Sequence, residues 1–242
     1  MSREAVIKIW NSIEERVVEY LKDTEYTSVI AHGSFAEGIA NKNSDFDLFV
    51  ICKETVQERE EVQVFSDIEV HFEFIHKENL LEQLKSLDNL LLPEIMGFSA
   101  PLASRLKNAV VLIDEDNEGA GLIELAQQFK PSDSLLDRYS RSGFNYYYDA
   151  VGAMLSGDYT ASIHMARIGA LHIMTGALLK KGMVYVKNKW LVKLEEKSQP
   201  LSEELFLRLM GLDTADKERA HQCILDLNKM IAEFQHLRET DD

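Results

Sequence analysis

Two cysteines, four prolines and twelve glycines among 242 residues are too few for several architectures. They cannot make a disulfide scaffold or a collagen-like repeat, and so little Pro and Gly argues against a disordered low-complexity chain. Long apolar runs are missing too. The uncharged stretch Ile168–Leu179 falls well short of the roughly 20 residues a membrane-spanning helix needs, so no membrane association is expected. The opening MSREAVIKIWNSIEERVVEYLK carries charge throughout, unlike the apolar core of a secretory signal. Cys52 and Cys223 stand alone, which fits a reducing compartment, so the expected location is cytoplasmic.

Basic charge is also scarce: 26 Lys and Arg face 41 Asp and Glu, for a net charge of −15. The excess is concentrated early, with −12 over residues 1–116 and −3 over residues 117–242. Nonspecific grip on long nucleic acid relies on Lys and Arg against phosphate, so it is not expected here. A small cationic or metal-bound substrate suits this field better. With 45% hydrophobic and 28% charged residues, the chain can bury a sizeable core as one large domain or two small ones.

The hydrophobic pattern divides the chain. Val6, Trp10, Ile13, Val17 and Leu21 recur at helical spacing. A β-rich run from Tyr26 to His32 stops at Gly33, and a second from Asp45 to Cys52 follows the turn-rich GSFAEGIANKNS. The charged KETVQEREE reads as helix or loop. In DIEVHFEFI, Asp67, Glu69, His71 and Glu73 point one way and Ile68, Val70, Phe72 and Phe74 the other, as in a half-buried strand. Asn79–Leu92 reads as helix and Asn108–Ile113 as strand. Beyond about residue 117 helical spacing dominates, from Ala120 to Phe129 and Ser134 to Leu179, then after Pro200 and from Asp216 to Arg238. Ser132 or Asp133 after Pro131 supplies a helix start. The expected domains are residues 1–116, α/β, and 117–242, all helical, joined between Asp114 and Pro131.

The chemistry concentrates in IAHGSFAEGIANKNSDFDLFVI, residues 30–51. Strand side chains have period two, so Asp45 and Asp47 share a face and can jointly hold hard divalent cations such as Mg²⁺ or Mn²⁺. Gly33-Ser34 offers close backbone approach, N–H groups and a hydroxyl to a phosphate. A phosphate cradle beside metal carboxylates suggests metal-assisted phosphoryl or nucleotidyl transfer. Either element alone is common in ordinary turns and solvated strand ends. Together, with ten residues between Ser34 and Asp45, they are restrictive.

This arrangement resembles the DNA polymerase β-like nucleotidyltransferase superfamily, whose signature is Gly-Ser, a short turn and Asp-x-Asp/Glu. Gly33, Ser34, Asp45 and Asp47 fill it, and Gly38 and Ser44 also match. The resemblance implies an N-terminal mixed sheet with helices on one face and carboxylates on the other, followed by an all-α C-terminal bundle closing the cleft. It implies two Mg²⁺ ions on Asp45 and Asp47, ATP as co-substrate, phosphate contacts from Gly33, Ser34 and Ser44, and a third carboxylate on a neighbouring strand. Parity leaves Asp67, Glu69 and Glu73 open for that role. Ile68-Glu69-Val70-His71-Phe72 looks like the pattern of the antibiotic-modifying branch, which selects Glu69 as third metal ligand or proton acceptor. His71 and His32 read more readily as structural residues.

The helical half is similar to the C-terminal domain of streptomycin/spectinomycin-type adenylyltransferases through Ala166-Arg167, Thr175-Gly176, Lys187 and Trp190, with a shorter Lys-to-Trp spacing. By that resemblance Lys187 meets nucleotide phosphates. Without it, Lys187 is one of five lysines between 180 and 193. Arg167 and Trp190 read as interhelical packing residues. Asp149, beside Tyr146, Tyr147 and Tyr148, is a candidate acceptor-binding carboxylate or alternative base, and the three consecutive tyrosines cannot all share one helix face. The implied activity is transfer of AMP from ATP to a hydroxyl of a small molecule such as an aminoglycoside-type antibiotic, with pyrophosphate release, by a monomer or homodimer. The alternative is a regulatory or toxin–antitoxin nucleotidyltransferase acting on protein or tRNA. Its HEPN-like Arg-x4-His pattern would be Arg167 and His172, about 140° apart around a helix.

Overall fold

The structure, a computed structural model, describes residues 2–93, 100–199 and 201–212. Helix α1 (Ser2–Leu21) buries Val6, Trp10, Ile13, Val17 and Leu21, the stripe expected from their spacing. It packs on a five-stranded mixed sheet made of β1 (Tyr26–His32), β2 (Phe46–Cys52), β3 (Arg59–Phe65), β4 (Ile68–His76) and β5 (Val110–Asp114). The strand order is β3-β4-β2-β1-β5; β2 and β4 run parallel, and the other pairings are antiparallel.

Strand alternation gives the sheet two different faces. Val29, Ala31, Leu48, Val50, Val70 and Phe72 join α1 in one core. Ile30, Phe49, Ile51 and Ile75 point the other way and pack with Leu80 of α3 (Lys77–Lys85), Leu87 of α4 (Leu87–Leu90), Leu122 of α5 (Glu118–Gln128) and Tyr139 of α6 (Asp133–Leu155). Asp47 precedes Phe49 by two residues and lies on this second face, at the end where the apolar cover stops. The Tyr139 hydroxyl donates to the Leu91 carbonyl at 2.7 Å and ties α6 to that cover.

Residues 53–61 were expected as helix or loop, but the chain enters β3 at Arg59 and turns back through Ser66 and Asp67, with φ of 49° and 67°. Two consecutive positive φ values are what a tight hairpin between twisted strands requires. The strand hides from pattern reading because Val62 and Val64 are exposed while Glu61 and Gln63 are half-buried. At the sheet edge Val62 and Val64 stand opposite His71 and Glu69, on a face that nothing among the described residues covers there.

No strand follows β5 among the described residues. The helix expected over 79–92 is broken at Ser86 into α3 and α4. Helix α6 starts at the Ser132 cap, which accepts the Leu135 N–H at 3.1 Å. It pairs with α7 (Tyr159–Lys180), where Gly176 lets Tyr139 approach the helix backbone. A single-turn 3₁₀ helix (Asn188–Trp190) leads into α8 (Leu191–Ser198).

Residues 1–201 form one compact unit and 202–242 another, and β5, the last strand among the described residues, ends at Asp114. In the second unit α9 (Glu203–Met210) begins after Ser202, whose side chain accepts the Leu205 N–H. The expected helix over 216–238, and Cys223, lie outside the described residues.

Candidate active site

At the end of β1, His32 pairs with Asp47 across the antiparallel ladder. The chain then turns at Gly33, with φ of 74°, into the short helix α2 (Gly33–Glu37). A Cβ at Gly33 would fall on the Asp47 carboxylate, so only glycine allows this approach as well as this backbone conformation. Ser34 is buried and its hydroxyl has no partner among the described residues. Gly38 closes the helix in the left-handed conformation, its N–H donating to the Phe35 carbonyl at 3.1 Å. In the following loop the Asn41 N–H donates to Ser44 Oγ at 2.9 Å, and the Asn43 N–H to Asn41 Oδ1 at 2.9 Å. These bonds set Asp45 at the head of β2.

Parallel pairing aligns Asp47 with His71 and Phe49 with Glu73. Ligand atoms of Asp45, Asp47 and His71 consequently lie within 4.8 Å of one another, as do those of His32, Asp47 and Glu73. Burial, together with the Asp45 charge, pushes the Asp47 carboxyl up to about 6, although Lys187 and Arg105 pull the other way.

The two groups differ in chemistry. Glu73 accepts a hydrogen bond from Arg105, which comes from the 3₁₀ helix Leu102–Leu106. Burial raises the Glu73 pKa and the guanidinium limits the rise. His32 is wholly enclosed, with its ring stacked on Phe49 at 3.9 Å. Burial, then Arg105 and Lys187, drive its pKa well down, so it is neutral. A group already containing Arg105 does not suit a metal ion. The Asp45–Asp47–His71 group does, because it is more open and carries two carboxylates without a bound guanidinium.

Asp67 lies in the β3–β4 turn. Glu69 is exposed and belongs to neither group; its Oε1 accepts from His71 Nε2 at 2.7 Å and so meets Asp45 only through the imidazole. Burial lowers the His71 pKa, but the Glu69 hydrogen bond and the charges of Asp45 and Asp47 outweigh it, leaving it raised.

A cavity of about 360 Å³ opens on Asp45 and Asp47. Ser34 and Ser44 line it, and Lys187, Lys189, Trp190 and Lys193 give it a basic wall. Lys187 Nζ lies 5.0 Å from the Tyr185 ring centre and 5.2 Å from that of Trp190. Burial, then Arg105 and Lys189, lower its pKa. Lys193 Nζ donates to the Ile39 carbonyl at 3.1 Å and Lys197 Nζ to that of Glu37 at 2.5 Å, attaching α8 to α2. The structure thus gathers Gly33, Ser34, Ser44, Asp45, Asp47 and Lys187 around one site and leaves Glu69 at its rim. His71, Lys189 and Lys193 are additions. Alternation had put His71 on the right face, but only the β2–β4 register places it opposite Asp47.

Away from this site, Asp149 is exposed and does not line the cavity. Tyr147 and Tyr148 are exposed, whereas Tyr146 packs edge-on to His172 at 5.2 Å. Arg167 and His172 stand on the unbroken α7, about 140° apart, with His172 Nδ1 2.7 Å from Ser142 Oγ.

Residues 15–108 match the family described as Polymerase beta, Nucleotidyltransferase. The match supports a nucleotidyltransferase domain of the DNA polymerase β-like superfamily within those residues, and it spans Gly33 through Arg105 but not the lysine wall. Among solved structures, a nucleotidyltransferase-like protein from Exiguobacterium sibiricum is similar over 85% of this chain and 73% of its own, with 14% identity and a TM-score of 0.43. No curated protein matches the sequence. No helix among the described residues is long and apolar enough to cross a membrane.

Proposed function

We propose that the protein transfers a nucleoside monophosphate, AMP from ATP, to a hydroxyl of a small cationic acceptor of the aminoglycoside type, releasing pyrophosphate. The observation that carries this reading is the two-sided cavity. Paired carboxylates and lysines line the same space, beside the Ser34 hydroxyl that has no partner among the described residues, although the chain as a whole is strongly acidic. Its volume falls in the range of small-molecule sites, roughly 300–1,000 Å³.

Asp45 and Asp47 hold divalent cations of the Mg²⁺ or Mn²⁺ class. The chemistry such ions supply when bound is neutralisation of the triphosphate and activation of the acceptor oxygen. Ser34 and Lys187 take phosphate oxygens, the lysine remaining over Tyr185 and Trp190 so that little side-chain freedom is lost on binding. The acceptor oxygen arrives at the exposed rim, where Asp45 and Glu69 draw in a polycation and Glu69 Oε2 takes the hydroxyl proton. It attacks the α-phosphorus, the bond to the β-phosphate oxygen breaks, and pyrophosphate departs along the lysine wall.

The test is pyrophosphate release from ATP with pooled aminoglycosides, run beside protein and tRNA acceptors. Release with the small polycations, lost in Asp47→Asn, is expected. Release only with protein or tRNA would replace the acceptor class by the regulatory alternative, and unchanged turnover in Asp47→Asn would remove the metal-site assignment.

A further inference from the structure

The geometry points to His71 as a nitrogen ligand of the catalytic cation, with Glu69 as the carboxylate that orients it, giving an Asp45–Asp47–His71 centre that favours Mn²⁺ over Mg²⁺. This rests on the reading of Asp45 and Asp47 as the metal pair.

Three independent features support it. First, the parallel ladder sets His71 directly beside Asp47 on the same face, and the three ligand atoms lie within 4.8 Å. Donors about 2.1 Å from one ion sit roughly 3–4 Å apart, so small side-chain rotations suffice. Second, His71 Nε2 lies 2.7 Å from Glu69 Oε1 and donates to that carboxylate, so Nδ1 is the ring nitrogen left to face the acidic pair. That atom faces Asp45 Oδ2 at 3.4 Å. Those two atoms already form an ion pair when Nδ1 carries a proton, and a divalent cation that displaces the proton would bridge the same pair. A metal-bound imidazole commonly gives its other N–H to a carboxylate in just this way. Third, the other acids on β4 are not available. Glu73 is hydrogen-bonded to Arg105, and Glu69 lies beyond the imidazole.

The donor set then has a consequence for selectivity. Carboxylates and water suit Mg²⁺, while an imidazole nitrogen shifts preference toward first-row transition ions. His71 makes this centre softer than three carboxylates would.

The experiment adds Mn²⁺ alone to the full chain, with and without a non-hydrolysable ATP analogue. It reads affinity by continuous-wave EPR and ligand type by the ¹⁴N modulation in pulsed EPR. Bound Mn²⁺ showing ¹⁴N coupling is expected in the wild type. His71→Ala should remove the coupling and weaken binding about 10–100-fold, and Glu69→Gln should weaken it about tenfold with the coupling retained. His71→Asp should bind Mn²⁺ without the coupling and shift preference toward Mg²⁺, with circular dichroism confirming that each variant is folded. Bound Mn²⁺ lacking ¹⁴N coupling in the wild type would overturn the role of His71 and leave the nucleotidyltransferase reading intact. Mn²⁺ affinity unaffected by Asp47→Asn, or no Mn²⁺ binding under either condition, would overturn the metal pair itself and this inference with it.

Discussion

The two walls of the cavity are built by different means. The acidic wall comes from β2, with Asp45 at its head and Asp47 within it, and the ladder register sets Asp47 beside His71 of β4. The basic wall comes from the 3₁₀ turn and α8, where Lys187 and Lys189 are long side chains over aromatic rings and Lys193 caps a carbonyl of the α2 loop. Rigid strands suit metal ligands, whose spacing tolerates little error, whereas flexible lysines suit phosphate oxygens, whose positions change as the bond breaks. The family match covers only the first wall.

The largest expected effect falls on the acidic wall. Asp47→Asn should lower turnover by about 10³-fold or more, measured by pyrophosphate release. It should also raise the melting temperature of the metal-free protein near neutral pH, because a buried carboxylate beside Asp45 is replaced by a neutral group. A variant that loses neither activity nor this repulsion would break the contrast between the walls.

Gly33→Ala should come next. The new methyl meets the Asp47 carboxylate at a backbone φ of 74°, so a loss of about 1–3 kcal/mol in denaturant unfolding is expected, together with weakened metal binding. On the basic wall, Lys187→Ala should raise the KM for ATP about 10–100-fold while leaving divalent-ion affinity unchanged. Lys187→Arg should recover part of the loss. Equal damage to metal and nucleotide binding would mean the walls do not divide the work.

The smallest effect concerns the seam between the walls. Glu37 is buried, accepts from Asn108 Nδ2 at 2.8 Å, and burial pushes its pKa up to about 7. A carboxyl raised in the folded state binds more protons there than in the unfolded chain between its ordinary pKa and about 7, so its contribution to stability falls as pH rises through that window. Glu37→Gln should therefore melt close to the wild type near pH 4 and a few degrees above it at pH 8. An advantage of constant size across pH would contradict this.

Much of the fold was legible because local patterns and burial agreed. The α1 stripe, β1, β2, β5 and the Ser132 cap follow directly from spacing and residue type. β3 was hidden by its exposed valines, and the α3–α4 break at Ser86 carries no Gly or Pro to announce it. At the site, Asp45, Asp47 and the Gly33-Ser34 turn were readable from one contiguous segment. Alternation identified the face of Glu69, His71 and Glu73 but not their depth, since parity is blind to register. The pairing of Glu73 with Arg105, 32 residues later, lies beyond any local pattern.

The central claim is that both walls act on one nucleotide–metal complex. Calorimetry of a non-hydrolysable ATP analogue, with and without Mn²⁺, tests it most directly. The account predicts that Mn²⁺ tightens nucleotide binding at least about tenfold in the wild type and not in Asp47→Asn. Equal tightening in both proteins would contradict it.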